Sequence, residues 1–159
     1  FTRADMETME QNMLKTISFD LGAPLSYSFL RRYAKAAKAD MNTLTLARYI
    51  LETSLMFYEF VCASESKLAA GAFLLALRMV KADESWTGVL QKYSGVTAEE
   101  AEEWCWEMNH MIHLRMSNKG VYAKCLTAFQ KYSHEVFFES AKVPLLEDKK
   151  PDAVLSVPN

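Results

Sequence analysis

Leu68-Ala69-Ala70-Gly71-Ala72-Phe73-Leu74-Leu75-Ala76-Leu77 is apolar right round a helix and contains no charged residue. A helix with one solvated side shows a polar stripe; a helix without one needs neighbours on every side. The run lacks β-branched residues and is too long for an ordinary buried strand, so the helical reading wins. Ala69, Ala70, Gly71, Ala72 and Ala76 allow neighbouring backbones to come close, while Phe73, Leu74 and Leu77 fill volume. Gly71 costs roughly 1 kcal/mol of helix propensity, which close packing offsets. The expectation is the central, buried helix of an all-α domain, opened by Ser64 or Ser66. Arg78 interrupts the run, which is also too short to cross a bilayer.

The segments on either side supply the neighbours. Upstream, Thr43 to Phe60 carries Ala47, Ile50, Leu51, Leu55 and Tyr58 on one side and Leu44, Leu46, Met56 and Phe57 on others, with Asp40 or Asn42 as N-cap. Arg48 and Glu52 stand one turn apart; on an exposed face that pair contributes about 0.3 kcal/mol. Downstream, Ser85 to Tyr93 reads as a short helix with Trp86 and Leu90 one turn apart, broken by Ser94 and Gly95. Thr97-Ala98-Glu99-Glu100 is a capping box that opens a long helix with Ala101, Trp104, Cys105, Met108, Met111 and Ile112 as its apolar positions. Ser117 to Gly120 interrupts it. Val121, Cys125, Phe129 and Tyr132 outline a final amphipathic helix, and Val136 to Leu146 an extended tail against the bundle, fraying from Lys149.

The N-terminal third is a helix, a hinge and another helix. Thr2 and Asp5 resemble a capping box, and Met6, Met9, Met13, Leu14 and Ile17 share a face. Glu10 sits within that stripe, where an ionised carboxylate needs water or a partner. Gly22 and Pro24 break the helix, and Pro24 suits the first turn of the next because its missing N–H would be unpaired there anyway. That helix, ending near Lys38, presents Leu25, Phe29, Tyr33, Ala36 and Ala37 on one face and Arg31, Arg32, Lys35 and Lys38 as a basic flank.

Composition and motif content narrow the chemistry. Half of the 159 residues are apolar, which excludes a disordered chain and allows a real core. A net charge of −2 gives no general attraction to nucleic acid. No signal peptide is visible, and a chain opening on Phe1 within a helical pattern reads as part of something longer. Cys62, Cys105 and Cys125 read as reduced thiols of an intracellular protein. No glycine-rich phosphate loop is visible, and no nucleophile–base constellation can be named, so no catalytic residue is assigned. Cys105 and His110 lie about 140° apart around one helix, so with His113 they do not converge on a metal. Glu99, Glu100, Glu102 and Glu103 read as a solvated cluster favoured at a helix N-terminus. Neither a metal nor a cofactor is expected.

Resemblance to a known family says more. "FDLGAPLSYSFLRRYAKAA" from Phe19 resembles the junction between the two helical boxes of B-type cyclins, whose second box opens on Phe-Leu-Arg-Arg. "METMEQNMLKTISFDL" resembles the last helix of the first box and its exit, "TLTLARYILETSLMFYEF" the second helix of the second box, and "SKLAAGAFLLALRM" its central helix. "WTGVLQKYSG" fits as well, and "KYSHEVFFESAKVPLL" together with "TLTLARYI" resembles the third B-type subclass. The resemblance implies a cyclin-box bundle of about five helices around a central buried helix, preceded by one extra N-terminal helix. It divides the chain into residues 1–21 (end of the first box and linker), 22–133 (C-terminal box) and 134–159 (a partly packed tail). It implies no enzyme but a nuclear, and also cytoplasmic, regulatory subunit that binds and activates a mitotic cyclin-dependent kinase. Glu10, Leu14 and Leu21 fall at positions that meet the kinase. Arg31 and Arg48 match basic positions of a phosphate-binding pocket for phosphorylated regulatory or substrate proteins; Leu44 stands where some relatives have a histidine. The alternative is a cyclin-fold module of transcription that binds nucleic acid or other proteins, which needs a positive surface such as Arg31, Arg32, Lys35, Lys38 and Arg48.

Overall fold

The computed structural model describes residues 1–81, 84–117 and 124–149, and Leu155. The described elements are helical: α1 (Arg3–Thr16), α2 (Ser26–Ala37), α3 (Met41–Ser54), α4 (Glu65–Val80), α5 (Gly88–Ser94), α6 (Ala98–Met116) and a short α7 (Thr127–Tyr132). Single 3-10 turns lie at Tyr58–Phe60, Glu135–Phe137 and Ser140–Lys142.

Helix α4 is the centre. Every residue from Leu68 to Ala76 is buried, and α4 packs most extensively on α6, then on α3 and α2. The α4–α6 contact is set by Gly71. A Cβ built there would lie 2.5 Å from the Trp104 Cβ and 2.8 Å from the Trp104 carbonyl carbon. Only a hydrogen at that position lets the two backbones approach. Trp104 itself is buried, with its ring 6.2 Å from that of Phe60. Leu77, at the end of the apolar run, is half-buried rather than innermost.

Local chemistry sets most helix starts. Thr2 and Asp5 form the reciprocal capping box of α1, and Thr97 and Glu100 that of α6. The Asp40 carboxylate accepts from the Thr43 N–H at 2.8 Å and caps α3. Helix α2 is different. It begins at Ser26, two residues after Pro24, and its N-cap Leu25 has no side-chain acceptor. A carboxylate from another helix fills the gap: Glu65 Oε2, on α4, accepts from the Ser26 N–H at 2.6 Å. The buried side of α2 is Leu30, Tyr33 and Ala34, not the face expected from Leu25 and Ala37, both of which are exposed. Leu25 precedes the helix; Tyr33 is inward as expected, its ring meeting Trp86 edge-on at 5.8 Å, and docking against α4 and α5 brings Leu30 and Ala34 in beside it while Phe29 and Ala36 are half-buried.

Three further expectations shift. Trp86 precedes α5 instead of lying in it, held by an indole N–H donated to the Val96 carbonyl at 3.0 Å. The last amphipathic helix is described only as α7, and Val121 lies outside the described residues. The tail is not simply extended: two 3-10 turns bring Ser140 and Ala141 into the interior. No described helix is long and apolar enough to cross a membrane.

Candidate functional site

Helix α1 buries none of its residues. Met6, Met9, Met13 and Ile17 on its apolar stripe, and Leu21 beyond the helix end, are between 46% and 68% exposed. Glu10 is exposed within this stripe, one turn before the half-buried Leu14. A contiguous stripe of large exposed apolar side chains marks a surface that another segment or chain covers. Covering each one is worth roughly 1.5–3 kcal/mol. The face is chemically mixed: methionines that adapt to a neighbour's shape, branched aliphatics, and one carboxylate able to accept charge-assisted hydrogen bonds. The chain leaves it sharply. Ser18 and Phe19 both adopt the left-handed conformation, with φ of 54° and 57°, so two non-glycine residues rather than Gly22 turn the backbone out of α1.

The basic residues sit apart from that face. Arg31 is exposed on α2, one turn beyond Tyr27. Arg48, on α3, lays its guanidinium 5.1 Å from the Tyr27 ring centroid and donates from Nε to Glu52 at 3.2 Å. Arg48 lines a small cleft with Ser26, Tyr27, Leu51, Glu52 and Leu55; Arg31 is not part of its wall. Glu52 is engaged far beyond the helical pair expected from spacing. Its carboxylate also accepts from Lys131 Nζ at 2.7 and 2.9 Å and from the Tyr132 hydroxyl at 2.7 Å, tying α3 to α7. Burial alone would raise the Glu52 carboxyl; the hydrogen bonds from Lys131 and Tyr132, with the charges of Lys131 and Arg48, outweigh it and hold its pKa below the ordinary value. Tyr132 is pushed up by its own burial and by that carboxylate.

The acidic start of α6 is only partly solvated. Glu99 and Glu103 are exposed, but Glu100 caps its helix and pairs with Lys67 at 3.2 Å. Glu102 takes a two-pronged bond from Arg78, at 2.8 and 2.5 Å, which with the Trp106 indole holds its carboxyl below the usual range. The Cys105 thiol is pushed up to about 12 by burial. His110 is buried and bonded to Asp148, and His113 to the Leu146 carbonyl, so these two serve the chain's own C-terminal segment. Among the described residues no group of three or more His, Cys, Asp or Glu side chains could hold a metal ion.

A family model described as "Cyclin, C-terminal domain" matches residues 24–146. The chain belongs to the cyclin family. The match covers α2 through the 3-10 turns, with the buried α4 at its centre, and starts after α1. The chain is 47% identical over 150 residues to the G2/mitotic-specific cyclin-B3 of Caenorhabditis elegans, across 93% of this chain and 38% of that protein. The cyclin-B3 proteins of Canis lupus familiaris and Drosophila melanogaster are 42% and 41% identical, across 98% and 94% of this chain but only 11% and 26% of their own lengths. The chain thus spans well under half the length of these relatives. The resemblance to the third B-type subclass is borne out by all three.

Sequence patterning found the α1 stripe and Glu10 within it, but not the two left-handed residues that redirect the chain. The Lys131 and Tyr132 partners of Glu52 lie 79 and 80 residues away in sequence, beyond any helical spacing rule.

Proposed function

We propose that this chain is the C-terminal box of a B-type cyclin, a non-catalytic regulatory subunit that binds and activates a cyclin-dependent protein kinase in dividing nuclei, mitotic or meiotic, and in the cytoplasm. Residues 1–21 are then the end of a preceding box and its linker, 22–133 the C-terminal box, and 134–159 its partly packed tail. The observation that carries the reading is the exposed α1 face. Its carboxylate and apolar side chains suit a partner that offers hydrogen-bond donors beside an apolar surface. Glu10, Leu14 and Leu21 are the proposed kinase contacts.

The test uses the longer protein. Glu10→Ala should weaken kinase binding by about 1–3 kcal/mol, since the carboxylate loses charge-assisted bonds in a desolvated contact. The melting temperature should be unchanged, because Glu10 is exposed. Lost thermal stability with intact kinase affinity would overturn the assignment.

A second site is proposed at Arg31 and Arg48 for a phosphate carried by a regulatory or substrate protein. The exposed guanidinium of Arg31 and the Tyr27-stacked one of Arg48 support it, because planar donors fit phosphate oxygens. Glu52, paired with Arg48, works against it by offering a competing anion. A phosphoserine peptide should bind the parent more tightly than an Arg31→Ala, Arg48→Ala variant; equal affinities would remove the site.

A further inference from the structure

The tail after Val143 lies along α6 in an ordered way. Four α6 side chains at positions 106, 109, 110 and 113 form one stripe with helical spacing, and each holds a successive part of the tail. His113 Nε2–H donates to the Leu146 carbonyl at 2.8 Å. The Asn109 Nδ2 group donates to the carbonyls of Leu146 and Glu147, both at 3.3 Å. His110 Nδ1–H donates to the Asp148 carboxylate at 2.9 Å. The Lys149 ammonium sits 3.5 Å from the Trp106 ring centroid, beside a carboxylate, Glu102, that accepts from the same indole at 2.7 Å. Val143, Leu145 and Leu146 pack against the core, while backbone carbonyls, one acid and one ammonium are read in sequence order along α6, as in the docking of an extended peptide.

The fit is incomplete. Asn109 is fully buried, yet its amide is shared between two carbonyls at a distance longer than the usual 2.9–3.0 Å. Its Oδ1 is buried without a hydrogen-bond partner among the described residues. A buried amide left half used marks a site that a different extended backbone, offering both a carbonyl and an N–H, would satisfy better.

The geometry points to a peptide-binding site on α6, formed by Trp106, Asn109, His110 and His113, of which residues 146–149 are the tethered ligand. Its partner in trans is an extended segment carrying Asp followed by Lys: the carboxylate goes to His110, the ammonium to the Trp106 face, and the backbone to Asn109 and His113. The inference rests on α6 and the tail alone and is independent of α1 and of any kinase.

The test measures anisotropy of a labelled peptide, Val-Pro-Leu-Leu-Gln-Asp-Lys, copied from residues 143–149 with Gln in place of Glu147, whose side chain the stripe does not hold. Against the full chain carrying Asp148→Ala and Lys149→Ala, which weakens the tethered ligand, the peptide should bind at least about tenfold more tightly than against the unaltered chain. Replacing the peptide's own Asp and Lys by Ala should abolish the gain. A second measurement needs no variant. Saturating peptide should displace the tail of the unaltered chain and speed cleavage after Glu147 by a glutamate-specific protease. A variant that loses thermal stability yet takes up no peptide would make the tail a purely structural strap and overturn the proposal. So would equal binding of the Ala-substituted peptide, or a cleavage rate indifferent to peptide.

Discussion

Replacing Gly71 by alanine tests the packing at the centre of the fold. On propensity alone the change should stabilise the helix by roughly 1 kcal/mol, since alanine is the better helix former. The structure predicts the opposite sign. The new methyl carbon would lie 2.5 Å from the Trp104 Cβ and 2.8 Å from its carbonyl carbon, where ordinary contacts begin near 3.4 Å. Neither obstacle is the far end of a flexible side chain, so no rotamer change relieves the clash; α4 and α6 must separate by most of an ångström. Separation loosens the flanking contacts of Ala101, Cys105 and Met108, all buried. A clash with backbone puts the cost at the upper end of the about 1–3 kcal/mol typical of overpacking, and with the propensity gain deducted a net loss of ~2 kcal/mol is expected. For a chain of this size that lowers the melting temperature by about 4–8 °C. Gly88→Ala is the control, because a Cβ there meets nothing within 4 Å; it should leave the melting temperature unchanged or slightly raised. Thermal unfolding followed by circular dichroism reads both. If Gly71→Ala melts at or above the parent temperature, the close approach of α4 and α6 does not exist and the reasoning fails.

Glu52→Gln should destabilise by about 1–3 kcal/mol at neutral pH, because it removes charge-assisted bonds from Lys131, Tyr132 and Arg48. The Glu52 carboxyl is held below its ordinary 4.5 in the fold, so its contribution is complete above that pH and fades as pH falls through the folded value. Denaturant titrations should therefore show the parent–variant gap closing below about pH 4.5, and a gap constant with pH would refute the charge-based account. Thiol labelling near pH 8 should modify the exposed Cys62 and spare Cys105, buried and pushed up to about 12, until denaturant is added; equal native rates would contradict the burial of α6. Trp86→Phe should cost about 1–3 kcal/mol by leaving the Val96 carbonyl without its indole donor. A chemical denaturation curve unchanged from the parent would show that water replaces that donor freely.

How much of this was legible in the sequence depends on the range of the forces involved. Leu68–Ala76 declared itself because an all-apolar helix has one stable location, whatever its neighbours. The boxes at Thr2 and Thr97 were legible for the same reason: donor and acceptor stand three residues apart, so geometry follows from spacing. Helix α2 was read less well. Its first turn is completed by Glu65, 39 residues away, and its rotation by Trp86 beyond the next two helices. Periodicity gave a face some tens of degrees from the true one, because α2 has apolar or small side chains on more than one side and only its partners choose between them.

The candidate site divides along the same line, and the division carries a physical point. The stripe on α1 was visible as periodicity, but periodicity in a core helix and in a docking helix is identical; what differs is whether the fold covers it. Glu10 is the residue that separates the two cases. A carboxylate in the middle of a methionine face would cost several kcal/mol if the same chain buried it without a partner. The same carboxylate left in water until a donor-bearing partner arrives costs nothing beforehand and adds direction to an otherwise non-directional apolar contact. In this chain Glu10 lies exposed together with Met6, Met9 and Met13; under the proposed function a preceding box covers the methionines and Glu10 is left at the edge for the partner's donors. Glu52 is the converse. It too is an acid among apolar neighbours, but the chain supplies its donors from α7, so it knits the bundle together. Two glutamates on amphipathic helices thus differ in which of them the chain's own distant residues reach: Glu52 has donors on α7, and Glu10 stands exposed, as the proposed contact requires.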